Sequence, residues 1–190
     1  MVDGYDRLLV TEIDADGTRR SRVVKLSDYN VYAGAYVIDV EGQQFVLRGM
    51  IKKLSVNSVI KNEKYTYIDI SGDTLLTELD CDNGMTSTSI DVSKNTSLER
   101  LSLVGNQLTA LDVSKNTALN NFSAARNANI TSVRTATSFA NSGVTSNINS
   151  LITNATSTSG TLEYVPGGQY EARIKKAATD KGWTVKAIAG

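Results

Sequence analysis

A short segment that recurs at nearly constant spacing constrains the fold of this chain more than any other feature. Residues 111–119 (LDVSKNTAL) match residues 90–98 (IDVSKNTSL) 21 positions earlier, apart from conservative changes, and residues 68–76 carry a degraded copy another 22 positions upstream. A single coil of this length cannot bury its apolar side chains alone, so neighbouring coils must stack against it. We therefore expect this region to fold as a stack of similar units.

A second element lies between these copies and is clearest over residues 98–111, with the pattern LxxLxLxxNxLxxL. Equivalent apolar positions at Leu54, Leu79, Leu101 and Phe122 are 25, 22 and 21 residues apart. The alternation of apolar and polar residues at each position predicts a short strand with one buried face. We expect residues 53–56, 78–81, 100–103 and 121–124 to form adjacent parallel strands.

Polar residues recur in both elements. Asn106 and Asn127 follow two of the strands, where a side-chain amide can satisfy backbone groups that would otherwise be buried and unpaired. The Asp-Val-Ser-Lys-Asn-Thr element predicts a second short strand and turn, with Asp69, Asp91 and Asp112 aligned in a solvated ladder and lysines nearby to offset them. A calcium ladder along the same three aspartates is the alternative interpretation.

These motifs resemble the leucine-rich repeat family, specifically its short bacterial type of about 21 residues, which is found in secreted and cell-surface proteins. The resemblance is strong over residues 51–134. It implies an α/β fold, a right-handed solenoid with a parallel β-sheet on its concave face. We divide the chain into a β-rich N-terminal cap (1–47) and the solenoid (48–190), the latter ending in a helix-containing βαβ cap (135–190).

The N-terminal cap is predicted to consist of hairpins. Residues 7–13 and 21–26 flank Asp14-Ala15-Asp16-Gly17, which is typical of a tight turn, although it also resembles part of a calcium-binding loop. Residues 36–40 and 44–47 suggest a second hairpin. The basic cluster of Arg19, Arg20 and Arg22 is interpreted as charge that protects an edge strand from pairing with another chain.

The C-terminal segment loses the repeat spacing and alternates helices with strands. We predict helices at 144–155 and about 170–180, and strands at 161–165 and 183–188, which form a parallel βαβ unit. We expect this unit to continue the sheet of the repeats, so that Glu163 and Lys186 extend its outward rows. Lys181-Gly182-Trp183 resembles the ending of short bacterial leucine-rich repeat proteins, and Trp183 is interpreted as a lid over the final coil.

Composition excludes several classes of function. The chain has no histidine and one cysteine, which removes histidine-dependent hydrolases, imidazole metal sites, disulfides and multi-cysteine clusters. Twenty basic residues balance twenty acidic ones, so nucleic acid and anionic membranes are not expected as partners. The lone Cys81 stands at an inward position and is predicted to be a buried, inert thiol. We expect no cofactor and no metal.

The remaining candidate site is the outward face of the repeat strands. Its side chains change from acidic to mixed to small and polar along the sheet, without an aromatic cluster. The candidate binding residues are Lys53, Ser55, Glu78, Asp80, Asp82, Arg100, Ser102, Val104, Asn121 and Ser123, with Asn57 and Ala125 as further outward positions.

The family resemblance implies a non-enzymatic module for protein–protein recognition or adhesion at a bacterial surface. The partner would be a protein or another host or bacterial surface component, and the chain would act as a monomer without entering a membrane. Secretion or surface display is expected, with the leader outside this chain because its first residues lack an apolar core. The alternatives are a structural spacer within a larger surface protein and a glycan hydrolase that uses carboxylates such as Glu78 and Asp80.

Overall fold

The computed structural model describes residues 7–13, 16–25, 31–32, 35–36, 44–48, 51–56, 65–139 and 142–189. These residues form an α/β fold with short strands and few helices. In chain order the elements are β1 (Arg7–Ile13), β2 (Arg19–Lys25), β3 (Val31–Tyr32), β4 (Ala35–Tyr36), β5 (Gln44–Arg48), β6 (Lys53–Ser55), β7 (Tyr67–Asp69), β8 (Glu78–Asp80), β9 (Arg100–Ser102), β10 (Ala110–Asp112), β11 (Asn121–Ser123), β12 (Ser132–Thr135), α1 (Ser142–Thr153), β13 (Thr161–Tyr164), α2 (Glu171–Asp180) and β14 (Thr184–Ala187).

The first predicted hairpin is confirmed. Strands β1 and β2 pair in antiparallel register from Arg7 opposite Lys25 to Ile13 opposite Arg19. Gly17 has a φ of 84°, a conformation that glycine adopts without steric cost. The Asp16 carboxylate accepts the N–H of Thr18, which closes the turn. Strand β2 lies at the sheet edge, where a basic cluster was expected, whereas Asp14 lies outside the described residues.

The second predicted hairpin is wrong, because β5 pairs with other strands. It lies between β1, to which it is antiparallel, and β7, to which it is parallel. Both hydrogen-bonding edges of β5 are therefore occupied, and β4 pairs instead with β3. Residues 37–43 of the predicted hairpin lie outside the described residues. The resulting order β2-β1-β5-β7 joins the N-terminal strands directly to the repeats.

The four predicted repeat strands are confirmed as parallel neighbours in one sheet, called here the front sheet, with the order β6-β8-β9-β11. Leu54, Leu79, Leu101 and Phe122 are aligned across it. The last three of these side chains are almost completely buried. Their neighbours on each strand face the opposite side, as the two-residue period requires.

A second parallel sheet, the back sheet, has the order β10-β12-β13-β14. It contains the predicted βαβ unit, in which β13 and β14 are parallel on either side of α2. The expectation that this unit continues the front sheet is wrong. Strand β13 pairs with β12, and α1 packs beside β11 where a further front strand would lie. Glu163 and Lys186 therefore belong to the back sheet.

The second predicted strand of each repeat forms at β7 and β10 but not at residues 90–92. Ile90 and Val92 are still buried on either side of an exposed Asp91, as in a strand. The backbone joins the next repeat just before this segment, through the carbonyl of Thr88, which accepts the N–H groups of Thr109 and Ala110. The contact is therefore a single bifurcated acceptor and not a strand ladder.

Buried asparagines connect consecutive repeats. The predicted role of Asn106 and Asn127 is confirmed: the Asn106 amide donates to the carbonyls of Cys81 and Leu103 at 2.8 and 3.0 Å. The Asn127 amide donates in the same way to Leu103 and Ala124. Each side-chain oxygen also accepts one backbone N–H, so these buried side chains hold the bend that follows each front strand.

A second column of asparagines lies in the turns of the Asp-Val-Ser-Lys-Asn-Thr element. The Asn95 amide donates to Ile70 and Asp73, and the Asn116 amide donates to Val92 and Asn95, at 2.9 to 3.1 Å. Both side chains are fully buried. The sequence predicts a short strand and turn for this element, and the structure adds that the asparagines of the turn donate across the repeat boundary.

The C-terminal helices complete the core. Helix α1 buries Val144, Ile148, Leu151 and Ile152, which matches its predicted amphipathic pattern. Helix α2 is followed by Gly182 at a φ of 82°, where the N–H groups of Gly182 and Trp183 donate to the carbonyls of Thr179 and Ala178. No helix in the described part of the chain is long and apolar enough to cross a membrane.

Cys81 is completely buried in this core, as predicted from its inward position. Burial raises the pKa of its thiol, and the charges of Asp80 and Asp82 raise it further, so the reactive thiolate is not formed at neutral pH. We expect iodoacetamide to label the native protein at least about 100-fold more slowly than the protein unfolded in urea. Mass spectrometry over time measures both rates, and rapid labelling of the native chain would contradict the burial.

Candidate functional site

The outward side chains of the front sheet form rows that cross its strands. The first row contains Lys53, Glu78, Arg100 and Asn121 in consecutive register. The ammonium group of Lys53 lies 2.5 Å from the Glu78 carboxylate. This exposed ion pair contributes at most about 1 kcal/mol to stability. Arg100 is exposed and has no ion pair or hydrogen bond with any other described side chain, so its guanidinium is available to a ligand.

The second row contains Ser55, Asp80, Ser102 and Ser123. A third position follows each strand and holds Asp82, Val104 and Ala125. Asp82 links two strands because its carboxylate accepts the Ser102 hydroxyl and the Val104 N–H, both at 2.7 Å. Ser102 is only 6% exposed as a result, so it supports the surface more than it offers a contact to a partner.

The structure thus brings the predicted binding residues together on one face, called here the front face. Asn57 lies outside the described residues. Glu163 and Lys186 lie on the back sheet and do not extend this face. Among the described residues of the front face, Arg100 is the exposed cation without a partner, and it lies beside carboxylates at Asp80 and Asp82 that already accept backbone N–H groups.

Helix α1 ends the front face at β11. The Asn147 amide donates to the carbonyl of Phe122, so the helix occupies the sheet edge that would otherwise receive a strand. A cleft of about 90 Å³ opens between this helix and the bend after β11. Its polar lining comes from Ser123, Arg126, Asn127, Asn147, Ser150 and Asn154. Ser123 belongs to both surfaces, and the cleft therefore continues the front face.

The bend after each front strand places one residue in the left-handed conformation. These residues are Asn83 at a φ of 54°, Gly105 at 73° and Arg126 at 62°. Asparagine and glycine adopt this conformation readily, whereas an ordinary side chain costs about 1 kcal/mol or more. Arg126 therefore stands at a position that favours glycine, with its side chain at the cleft.

Arg126 and Asn154 are not among the binding residues predicted from the sequence. A signal for Arg126 was present, because it occupies the repeat position of Asn83 and Gly105 and breaks the preference for residues that tolerate positive φ. No comparable signal marks Asn154, which reaches the cleft only because α1 packs against β11.

On the other side of the repeats, the aligned aspartates bind their own turns. The Asp69 and Asp112 carboxylates each accept the N–H and the hydroxyl of the serine two residues later, at 2.7 to 2.9 Å. The hydroxyl and N–H of Ser93 hold the pKa of Asp91 below its ordinary value. Among the described residues, no cluster of three or more acidic, cysteine or histidine side chains could hold a metal ion.

The back sheet continues this aspartate row with alternating charge. Arg134 lies between Asp112 and Glu163, with its guanidinium 3.6 Å from the first carboxylate and 2.7 Å from the second. Lys186 follows Glu163 in register on β14. The Arg134 guanidinium is thus paired within the protein, in contrast to those of Arg100 and Arg126 among the described residues.

Comparison with known proteins finds no matching family model, no similar curated protein and no similar solved structure.

Proposed function

We propose that the chain is a leucine-rich repeat solenoid and a non-enzymatic binding module that recognises a protein partner through its front face. Support for the solenoid comes from two strand tracks that advance by about one repeat at a time, with asparagine columns joining consecutive coils. The resemblance of its repeats to those of short bacterial leucine-rich repeat proteins supports recognition or adhesion at a bacterial surface after export.

Arg100 is the observation that carries the binding proposal. It is an exposed guanidinium, not paired with any described residue, near the centre of a four-stranded face and flanked by Glu78 and Asn121 in its own row. Arginine is enriched among the few residues that dominate protein–protein affinity. On the back sheet, Arg134 is paired with two carboxylates, so its guanidinium is committed within the protein, whereas that of Arg100 is not paired with any described side chain.

The width of the front face favours an extended segment as the ligand. The four strands from β6 to β11 are separated by three intervals of about 4.8 Å, so the face is about 14 Å wide. An extended peptide rises about 3.3 Å per residue, so about four residues cross this width. Lys53, paired with Glu78, lies at one end of this path, and the cleft beside α1 lies at the other.

Catalysis is not part of the proposal. Glu78, one of the two carboxylates considered for glycan hydrolysis, is paired with Lys53, and Asp80 accepts the N–H of Asp82 at 3.2 Å. The buried Cys81 lacks the exposure of a nucleophile. These arrangements favour binding over chemistry at this face.

Partner capture tests the proposal. Proteins from extracellular matrix and bacterial surface fractions are captured on the immobilised wild-type chain and identified, and affinity for the strongest is then measured. We expect Arg100→Glu to weaken that affinity by about 30-fold, the effect of losing a central hot spot. Asp80→Lys tests the neighbouring row. Lys115→Glu, which reverses an exposed charge in a turn outside the front face, is the matched control and should bind normally.

The structural spacer is the competing function, and the same experiment separates the two. A spacer has no selective face, so capture would be equal for wild type, Arg100→Glu, Asp80→Lys and Lys115→Glu. Equal capture by all four proteins would therefore reject the binding proposal.

A further inference from the structure

Three side chains that can donate hydrogen bonds line the cleft beside α1 without a partner in the described part of the protein. They are the Arg126 guanidinium, the Asn154 side-chain amide and the Ser123 hydroxyl. The Asn127 and Asn147 amides of the lining donate to backbone carbonyls, and the Ser150 hydroxyl donates to Ser146. Ser123 and Asn154 can also accept hydrogen bonds, whereas Arg126 only donates, so Arg126 sets the preference of the cleft for an acceptor.

The charge of the cleft is positive. None of its ten lining residues is acidic, and Arg126 is the single charged residue among them. Asp82, the nearest carboxylate along the third row of the front face, already accepts two hydrogen bonds from the repeat next to it. An anionic group entering the cleft would meet a fork of guanidinium donors and at least one neutral donor, which is the geometry that arginine offers to a carboxylate.

The size of the cleft suits a small group. It is open to solvent and has a volume of about 90 Å³. One water molecule needs about 10–15 Å³ on the same measure, so the cleft admits a group of several heavy atoms, such as a carboxylate with its attached methylene group. A side chain of aspartate or glutamate therefore matches the cleft in size and in charge.

We infer that this cleft binds the carboxylate of an aspartate or glutamate side chain in an extended segment of a protein partner, with Arg126 as its main contact. Only the identity of the ligand as a protein segment rests on the proposed function of the front face. Ser123 is shared by face and cleft, so a segment that crosses the front sheet reaches the cleft at its last residue.

The conformation of Arg126 supports the assignment. Gly105 and Asn83 occupy the same position in the preceding repeats, and both residue types tolerate the positive φ that Arg126 also adopts. The Arg126 side chain makes no hydrogen bond or ion pair with the described residues that would offset this strain. Its side chain is therefore explained by a ligand better than by the fold.

Nuclear magnetic resonance with a minimal probe tests the inference without the whole partner. N-acetyl-aspartate amide is titrated into the ¹⁵N-labelled protein, with N-acetyl-asparagine amide as its neutral isostere. We expect the amide signals of Ser123, Arg126 and Asn154 to shift with a dissociation constant on the order of 1–10 mM, and the isostere to leave them unchanged.

Variants separate a binding role from a structural one. Arg126→Gly should abolish the shifts and also raise Tm by about 2–4 °C, because glycine relieves the strained backbone. Arg126→Gln removes the charge without the extra flexibility of glycine and should abolish the shifts as well. Lys115→Gln, which removes an exposed charge elsewhere, should retain them.

Equal shifts with the neutral isostere, or shifts that persist in both Arg126 variants, would overturn the inference. Failure here is distinguishable from failure of the proposed function. Loss of partner capture in Arg100→Glu without probe binding would preserve the front face and reject the cleft. Probe binding together with equal partner capture by every variant would support the carboxylate site in the cleft and reject the binding function of the front face.

Discussion

Replacement of Asn116 with alanine is expected to lower the free energy of unfolding by about 1–3 kcal/mol. The fully buried Asn116 amide donates to the carbonyls of Val92 and Asn95 at 3.0 and 2.9 Å, and alanine removes both hydrogen bonds. Each carbonyl keeps one backbone N–H donor, from Asn95 and Leu98 respectively, so the cost is that of two buried hydrogen bonds at about 0.5–1.5 kcal/mol each. Urea denaturation followed by far-ultraviolet circular dichroism measures the change.

Two further variants identify the donor as the cause. Asn116→Asp retains the volume of the side chain but removes its N–H groups when ionised, so it should cost at least as much as alanine. Asn120→Ala removes an exposed asparagine from the same repeat and should change stability by less than about 0.5 kcal/mol. Similar stabilities for Asn116→Ala and Asn120→Ala would show that the buried column contributes nothing.

The two asparagine columns show how far the sequence predicts the interior. Asn106 and Asn127 follow apolar strands, so the need to satisfy the bend was evident from the pattern. Asn95 and Asn116 recur with the same regularity but follow serine and lysine, which favour a solvated turn. Their burial depends on the stacking of the next coil over the turn, and a single repeat carries no information on that contact.

The strands were easier to predict than their partners. Apolar alternation marked β13 and β14 within a residue or two of their bounds, because it reports which side of a strand is buried. It does not report which sheet the strand joins, since both tracks of a repeat offer a parallel neighbour. The structure resolves this by packing α1 against β11, which leaves β12 as the neighbour of β13. The same limit applies to β5, because its alternation indicates a buried face but does not predict that the strand pairs with β7.

The candidate site divides in the same way. The rows of the front face follow from strand register, so the sequence predicted Lys53, Glu78 and Arg100 as neighbours. The cleft depends on helix α1, which begins 19 residues after the end of β11 and packs back against that strand, and local patterns do not predict this packing. Only the arginine at a position suited to glycine could have indicated it in advance.

Gly160→Ala is expected to lower the free energy of unfolding by about 2–3 kcal/mol through overpacking. A Cβ atom at Gly160 would lie 2.3 Å from Cε2 and 2.4 Å from Cδ2 of Trp183. The indole cannot easily move away, because it is only 4% exposed and its N–H donates to the Ser157 carbonyl at 3.1 Å. Gly160 does not adopt a positive φ, so the backbone itself would accept alanine.

A double-mutant cycle tests whether the contact with Trp183 is the cause. Trp183→Ala alone should cost about 3–5 kcal/mol, because it leaves a cavity between α2 and the start of β13. In that background Gly160→Ala should be close to neutral, which gives a coupling energy of about 2–3 kcal/mol. Urea denaturation followed by far-ultraviolet circular dichroism is used for all four proteins, since Trp183 is the single tryptophan of the chain. Additive effects of the two substitutions would contradict the prediction. They would mean that the cost of Gly160→Ala does not come from contact with the Trp183 indole.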